Sequence, residues 1–352
     1  MNRLKRLLVT LCLAAALTGS AWAGDLLRAD HPDRYVVKKG DTLWDIAGLF
    51  LNKPWRWPEI WYANPQIRNP HLIYPGDELT LVWIDGRPRL TVGRRGPLKL
   101  SPQVRSHPVE QAIPTIPIDH IAPYLSRPYV METGDLDSLP YVVAFADEHI
   151  VAGAGQRIYV RGLETADRKE YDIVRPGKAY RDAETGEVLG YEALYAGSGR
   201  LTRAGDPATV AVFRTRREIL AGDRLLPFST ADLATDFHPH APKRPVQGAI
   251  IDALDRVNEI GQYDVVVIDR GLADGLDPGT VLQVNNLGET VPDPIARATA
   301  TTSLHPAFME TVKLPDEEAG LVMVFRAFER VSFGLVMYAR KAIHLHDRVV
   351  NP

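Results

Sequence analysis

The sequence predicts a multidomain α+β protein: a small β-α-α-β module near the N terminus, a proline-rich linker, and a mostly-β C-terminal region with an internal duplication. Three observations carry this expectation. Residues 33–84 are dense in tryptophan and alternate between strand and helix periods. Residues 97–140 hold eight prolines, Pro97, Pro102, Pro108, Pro114, Pro117, Pro123, Pro128 and Pro140, which suits an extended, semi-rigid connector. Residues 141–228 and 247–352 are rich in Val, Gly and strand-length runs, and a second linker, Ser229 to Pro245, lies between them.

Ahead of the module, Arg3, Lys5 and Arg6 precede an apolar run from Leu7 to Leu17. Ala21-Trp22-Ala23 follows with the small-x-small pattern that signal peptidase cuts after. Residues 1–23 are therefore expected to be a cleaved signal peptide. The run is about half the ~20 apolar residues of a membrane span. The chain carries 41 Lys+Arg against 44 Asp+Glu, net −3; without the three basic residues of the leader it is 38 against 44, net −6. That mild acidity argues against a nucleic-acid partner. The one cysteine, Cys12, leaves with the leader, so the mature chain is expected to have no disulfide and no thiol nucleophile.

Within the module, Tyr35-Val36-Val37 is a short strand, and Lys39-Gly40-Asp41 turns the chain, Gly40 being free to take positive φ. Thr42 is placed as a helix N-cap, with Asp45 three residues on as in a capping box. Leu43, Ile46, Ala47 and Phe50 fall on one helical face. Pro58 and Glu59 suit the first turn of a second helix, which Ile60 and Trp61 continue and Asn64-Pro65 stops. Tyr74-Pro75-Gly76-Asp77 reads as a type II turn, and Leu79 to Val82 closes as a second strand.

These blocks, in this order, resemble the LysM domain: Tyr35-Val36-Val37-x-x-Gly40-Asp41-Thr42-Leu43-Trp44-x-Ile46-Ala47, then Trp61-x-Ala63-Asn64-Pro65, then Ile73-x-Pro75-Gly76-Asp77-x-Leu79. The resemblance implies binding of N-acetylglucosamine-containing glycans such as peptidoglycan. It places the groove between Gly40, Asp41, Thr42 and Leu43 on one side and Ile73, Tyr74, Pro75 and Gly76 on the other. An N-acetyl group offers one donor, one acceptor and a methyl, which backbone groups in two tight turns together with Leu43 and Ile73 would satisfy. Asp41 and Thr42 are capping groups first. Trp44 and Trp61 are expected in the core, because a ~50-residue domain needs large side chains to bury enough surface. Tyr74 is the expected exposed aromatic, while Trp55 and Trp57 are equally compatible with core and with a stacking surface. The connection Lys53-Pro54-Trp55-Arg56-Trp57-Pro58 departs from the LysM pattern by its length and aromatic content.

In the C-terminal half, Arg216-Arg217-Glu218-Ile219 followed by Asp223-Arg224-Leu225-Leu226 is echoed by Arg340-Lys341-Ala342-Ile343 followed by Asp347-Arg348-Val349-Val350. Apolar runs lie upstream of each, Ala208 to Phe213 and Leu321 to Phe325. Strands are expected at Tyr263 to Ile268, Thr280 to Val284 and Gly334 to Ala339, and a helix at Val246 to Asn258.

No catalytic pattern emerges. His238-Pro239-His240 and His344-Leu345-His346 lack the upstream His-x-x-x-Asp of wall zinc peptidases, and no His-Glu-x-x-His occurs. His344 and His346 are expected to share a strand face. The chain is expected to be no enzyme and to need no cofactor or metal.

The stretches Pro54-Trp55-Arg56-Trp57-Pro58-Glu59-Ile60-Trp61, Ala112-Ile113-Pro114-Thr115-Ile116-Pro117 and Gly271-Leu272-x-x-Gly275-Leu276-x-x-Gly279 extend the resemblance to the type IV pilus secretin-associated LysM proteins, the TsaP family. These join a periplasmic LysM domain to a region similar to the C-terminal part of the flagellar protein FlgT. The resemblance implies a periplasmic adaptor with two partners, peptidoglycan and the outer-membrane secretin, with copies gathered around the secretin ring. The expected division is a signal peptide at 1–23, LysM at 33–84, a linker at 97–140, a β-rich domain at 141–228 and a FlgT-like domain at 247–352. The alternatives are a general wall-binding envelope protein and a peptidoglycan hydrolase or its activator.

Overall fold

The computed structural model describes residues 26–61, 73–93, 112–125, 129–163, 169–227, 237–254, 259–293 and 311–352. The expected signal peptide and the Asn64-Pro65 helix stop lie outside these residues. The chain divides into two compact units, one of residues 1–118 with 235–240, the other of 119–234 with 241–352.

In the first unit β1 (Arg34–Val36) leads into α1 (Leu43–Phe50). Thr42 caps this helix: its hydroxyl accepts from Asp45 N at 3.1 Å and donates to the Asp45 carboxylate at 2.8 Å. The expected face, Leu43, Ile46, Ala47 and Phe50, is buried. A 3-10 turn at Pro54–Arg56 runs into α2 (Trp57–Ile60), a single helical turn. Trp61 does not continue it: its backbone is extended and bridges to Leu90. Pairing with a neighbouring strand there displaces the helical turn that Trp61 was expected to extend.

The sheet then exceeds the expected two strands. β2 (Glu78–Ile84) and β3 (Arg87–Gly93) form a hairpin, giving the order β1-β2-β3. Its turn is Asp85-Gly86, both at positive φ (50° and 73°), which matches the right-handed twist of the flanking strands. Leu27, Val37, Phe50, Trp57, Ile60, Ile73, Leu79 and Leu90 belong to one core, and Ile113 joins it from far along the chain.

The region expected as a proline-rich connector is thus partly folded. Residues 112–117 lie in the first unit, with Ile113, Thr115 and Ile116 buried. They are followed by α3 (Ile118–Leu125), β4 (Tyr129–Met131) and α4 (Asp135–Ser138). Isoleucine at 113, 116 and 121 supplies apolar surface that a solvated connector would leave in water.

The second unit holds two β assemblies. The first comprises β5 (Tyr141–Phe145), β6 (Arg157–Arg161), β7 (Glu170–Arg181), β8 (Val188–Arg203), β9 (Ala208–Thr215) and β10 (Arg224–Pro227). Its strand order is β4-β8-β7-β10-β5-β6-β9, and β9 pairs back onto β8, so six strands form a ring with β4 on its side. β8 is long enough to pair with β4 at Tyr191–Ala193 and with β9 from Gly197 onward.

The second assembly comprises β11 (Gln247–Leu254), β12 (Val265–Ile268), β13 (Val281–Asn286), β16 (Glu317–Ala327), β17 (Ser332–Ala339) and β18 (Arg348–Val350). A side ribbon of β14 (Thr290–Pro292) and β15 (Thr311–Lys313) is separate. These six strands form a closed barrel in the order β11-β12-β17-β16-β13-β18. Replacing β5, β6, β7, β8, β9 and β10 by β11, β12, β13, β16, β17 and β18 respectively turns the order of the first ring into that of the barrel, so the expected duplication is a duplicated six-stranded ring.

Three expectations change here. The segment expected as a helix, Val246 to Asn258, contains β11: its backbone pairs with β12 on one edge and β18 on the other, and two ladders override a weak helical pattern. Ala208 to Phe213 lies in β9, whose counterpart is β17, whereas Leu321 to Phe325 lies in β16. The two upstream runs are therefore neighbours in the ring order and not equivalents. His344 and His346 sit in the turn before β18 and not in a strand, with His346 at φ 71°.

Candidate functional site

The candidate groove is framed by the turn after β1 and the turn before β2. In the first turn Gly40 has φ 96°, and Asp41 N donates to Lys38 O at 3.2 Å. The Asp41 carboxylate accepts from Lys38 N at 2.8 Å and from the Tyr35 hydroxyl at 2.9 Å. Burial, and then the hydrogen bond to Asp41, push the Tyr35 hydroxyl up to about 12, so it remains a donor at neutral pH. Asp41, expected as a capping group, therefore holds the turn before the helix and does not cap it; the cap is Thr42 alone, because the Asp41 carboxylate is taken by Lys38 N and the Tyr35 hydroxyl.

The second turn is closed by Asp77 N donating to Tyr74 O at 3.0 Å, with Tyr74 N donating to the Asp77 carboxylate at 3.0 Å. Gly76 has φ 94°, the value a type II turn needs at its third position. Val37 joins the two turns: its N–H donates to Asp77 O at 2.9 Å and its carbonyl accepts from Gly76 N at 2.8 Å.

The eight expected groove residues fall into three groups. Thr42, Leu43 and Ile73 are buried. Gly40 and Gly76 are exposed, and Asp41, Tyr74 and Pro75 are half-buried. Tyr74 is thus less open than expected. Trp44 and Trp61 are core residues, as expected. Trp57 resolves to the core as well, edge-on to Trp61 with ring centroids 6.2 Å apart. Trp55 is half-buried. Among the described residues the exposed tryptophan is Trp83 on β2, 56% accessible, which the sequence reading did not single out.

A third strip of chain bonds to both sides of the groove. Leu43 N donates to Pro114 O at 3.0 Å, Trp44 N donates to Thr115 O at 3.1 Å, and Ile113 N donates to Ile73 O at 2.8 Å. Leu43 and Trp44 open α1, where N–H groups have no partner inside the helix, so the carbonyls of Pro114 and Thr115 satisfy them. Residues 113–115 were missed as site residues. The available signal was the alternation of isoleucine and proline in Ala112 to Pro117, which favours an extended backbone.

Among the described residues, no three or more His, Cys, Asp or Glu side chains converge to hold a metal, and no helix is long and apolar enough to cross a membrane. His344 approaches Asp347 at 3.8 Å.

A helix pair on a small sheet, with two tight turns held side by side through Val37, defines a small module. Residues 35–82 match the family model of the LysM domain, which implies binding of peptidoglycan or a related glycan. Over 60 residues the chain is 43% identical to an uncharacterized protein, YqbP, of Bacillus subtilis (strain 168). That similarity covers 14% of this chain and 27% of the relative, so the chain matches about a quarter of the relative's length.

Proposed function

We propose that the chain is an exported, periplasmic, non-catalytic adaptor. Its LysM groove, Gly40 to Leu43 facing Ile73 to Gly76, binds peptidoglycan glycan, and its two β rings hold the outer-membrane secretin of a type IV pilus machine. The observation that carries the glycan half is the LysM match over residues 35–82 together with the paired turns locked through Val37. The secretin half rests on the resemblance of the stretches outside LysM to the TsaP family. Export rests on the leader features of residues 1–23. A single weak glycan site becomes a firm anchor when several copies gather on one ring, because the later binding events are then intramolecular.

The test is co-sedimentation of residues 24–352 with purified sacculi. The expected result is pelleting that soluble N-acetylglucosamine oligomers reverse, with no release of muropeptides. A chain that stays in the supernatant at every sacculus load refutes the glycan reading, and muropeptide release refutes the non-catalytic one. For the second partner, affinity capture of the chain from envelope extracts should bring down the secretin. Its absence from the captured material, with sacculus binding intact, leaves a general wall-binding protein.

A further inference from the structure

The groove assigned above to glycan already has an occupant. We propose that the LysM groove is also a binding site for an Ile-Pro-type peptide, filled in this structure by the chain's own residues 112–117, so that glycan enters only when this segment leaves. The glycan half of this statement rests on the function proposed above; the peptide half rests on geometry alone.

The segment uses the groups a sugar would need. An acetamido substituent is itself a secondary amide, with one N–H, one C=O and a methyl. The segment presents the N–H of Ile113 to Ile73 O and the C=O of Pro114 to Leu43 N, so its main chain takes one acceptor and one donor on opposite walls. Thr115 O takes a second donor, Trp44 N. Ile113, Thr115 and Ile116 are 7%, 5% and 0% accessible, so the segment is embedded, and Ile113 counts among the module's core residues. Pro114 and Pro117 have no N–H to satisfy, so the strip, which bends at Thr115 and Ile116, brings fewer donors into the groove.

The segment is also tethered. Only residues 94–111 separate it in sequence from the end of β3 at Gly93. An intramolecular ligand on a short tether competes at an effective concentration of order mM. A groove open one-tenth of the time binds its external ligand about tenfold more weakly than an open one.

The experiment compares residues 24–352 with two variants of the same chain. One carries Ile113→Ser and Ile116→Ser; the other replaces residues 112–117 by a Gly-Ser sequence of equal length. Binding of tetra-N-acetylchitotetraose is measured by calorimetry, and amide exchange is followed at Leu43, Trp44 and Ile113. Both variants should bind the oligosaccharide at least about tenfold more tightly than the parent. A synthetic peptide, Ala-Ile-Pro-Thr-Ile-Pro with blocked ends, should restore weak binding to the Gly-Ser variant by competition. In the parent, saturating oligosaccharide should raise exchange at Ile113 while Leu43 and Trp44 stay protected.

Folded variants that bind the oligosaccharide no better than the parent overturn the proposal. Should both variants fail to fold, the parent decides alone: saturation with Ile113 still protected overturns it, and exposure of Ile113 sustains it. If no form binds the oligosaccharide but the peptide binds the Gly-Ser variant, the glycan reading fails while the peptide site stands.

Discussion

The two rings of the second unit agree in backbone detail and differ in the side chains that hold the same turns. Ala152 bridges to Ile219 in the first as Ile260 does to Ile343 in the second. Arg216 N donates to Ala196 O at 2.8 Å, and Arg340 N donates to Ala319 O at 2.7 Å. The Asp223 carboxylate accepts from Leu220 N at 2.8 Å, and that of Asp347 from His344 N at 2.7 Å. Even the left-handed positions coincide: Gly222 and His346 at φ 91° and 71°, Gly155 and Tyr263 at 87° and 68°. Yet Asp223 pairs with Arg175 at 2.9 Å, whereas Asp347 takes the amide of Asn286 at 2.7 Å. A closed ring demands particular turns and registers; it leaves open which side chain supplies each hydrogen bond.

The comparison can be broken most severely in the core. Ile219 and Ile343 are both fully buried. Ile219→Ala and Ile343→Ala should each cost about 2–5 kcal/mol in urea unfolding. Equivalent sites should give values within about 1 kcal/mol of each other, and a large inequality would show that the backbone match does not extend to packing.

The carboxylates come next. Asp223→Asn removes the charged partner of Arg175 and should cost about 2 kcal/mol. Asp347→Asn keeps an acceptor for Asn286 and should cost about 1 kcal/mol. The opposite ranking would mean that the Arg175 pair adds nothing over a neutral bond.

A third pair should give opposite signs. Gly222→Ala places a Cβ at φ 91° with open space around it and should destabilise by about 1 kcal/mol. His346→Gly relieves the same conformation and should stabilise by a few tenths to about 1 kcal/mol. Differential scanning calorimetry of both variants reads the two signs directly.

The last test, read in acid, concerns the tip of the β7–β8 hairpin, which meets the second ring. Asp182 pairs with Arg270 at 2.9 Å. Hydrogen bonds from the Thr185 and Glu184 backbones, together with Arg270, lower its carboxyl to about 2 from an ordinary 3.8, against some opposing desolvation. A folded pKa below the unfolded one means that this contribution is complete above about pH 4 and lost as pH falls towards 2. Asp269 beside it is raised by burial and contributes with the opposite sign. Asp182→Asn should therefore flatten the loss of stability in that window, followed by circular dichroism. An unchanged acid transition would remove Asp182 from the account.

The duplication was legible because its echo includes an aspartate that pins a turn and an isoleucine that enters the ring, so local chemistry and long-range packing fall in one short window. The alignment of strands was not legible. Ala208 to Phe213 and Leu321 to Phe325 look alike because every strand of a closed ring is apolar on its inner face. The two turns of the LysM module were readable from Gly40, Thr42, Pro75 and Gly76, whose conformations are dictated locally. The hairpin to β3 was announced by Asp85-Gly86 but overlooked. The burial of Ile113, Thr115 and Ile116 was hidden by the neighbouring prolines, which suit a solvated connector and a seated strip equally well; only the tertiary contact distinguishes them.

Ring closure also governs how the chain must be made and cut. β5 receives its second neighbour only when Arg224 comes to lie opposite Tyr141, and β11 only when β18 comes to lie beside it. During synthesis each ring therefore holds an unsatisfied strand edge until its last strand has emerged, the condition in which chains stick to one another. Non-local closure of this kind is slow, of order ms to s. A fragment ending inside either ring would carry that open edge permanently, while a boundary between residues 227 and 247 keeps the strands of each ring together.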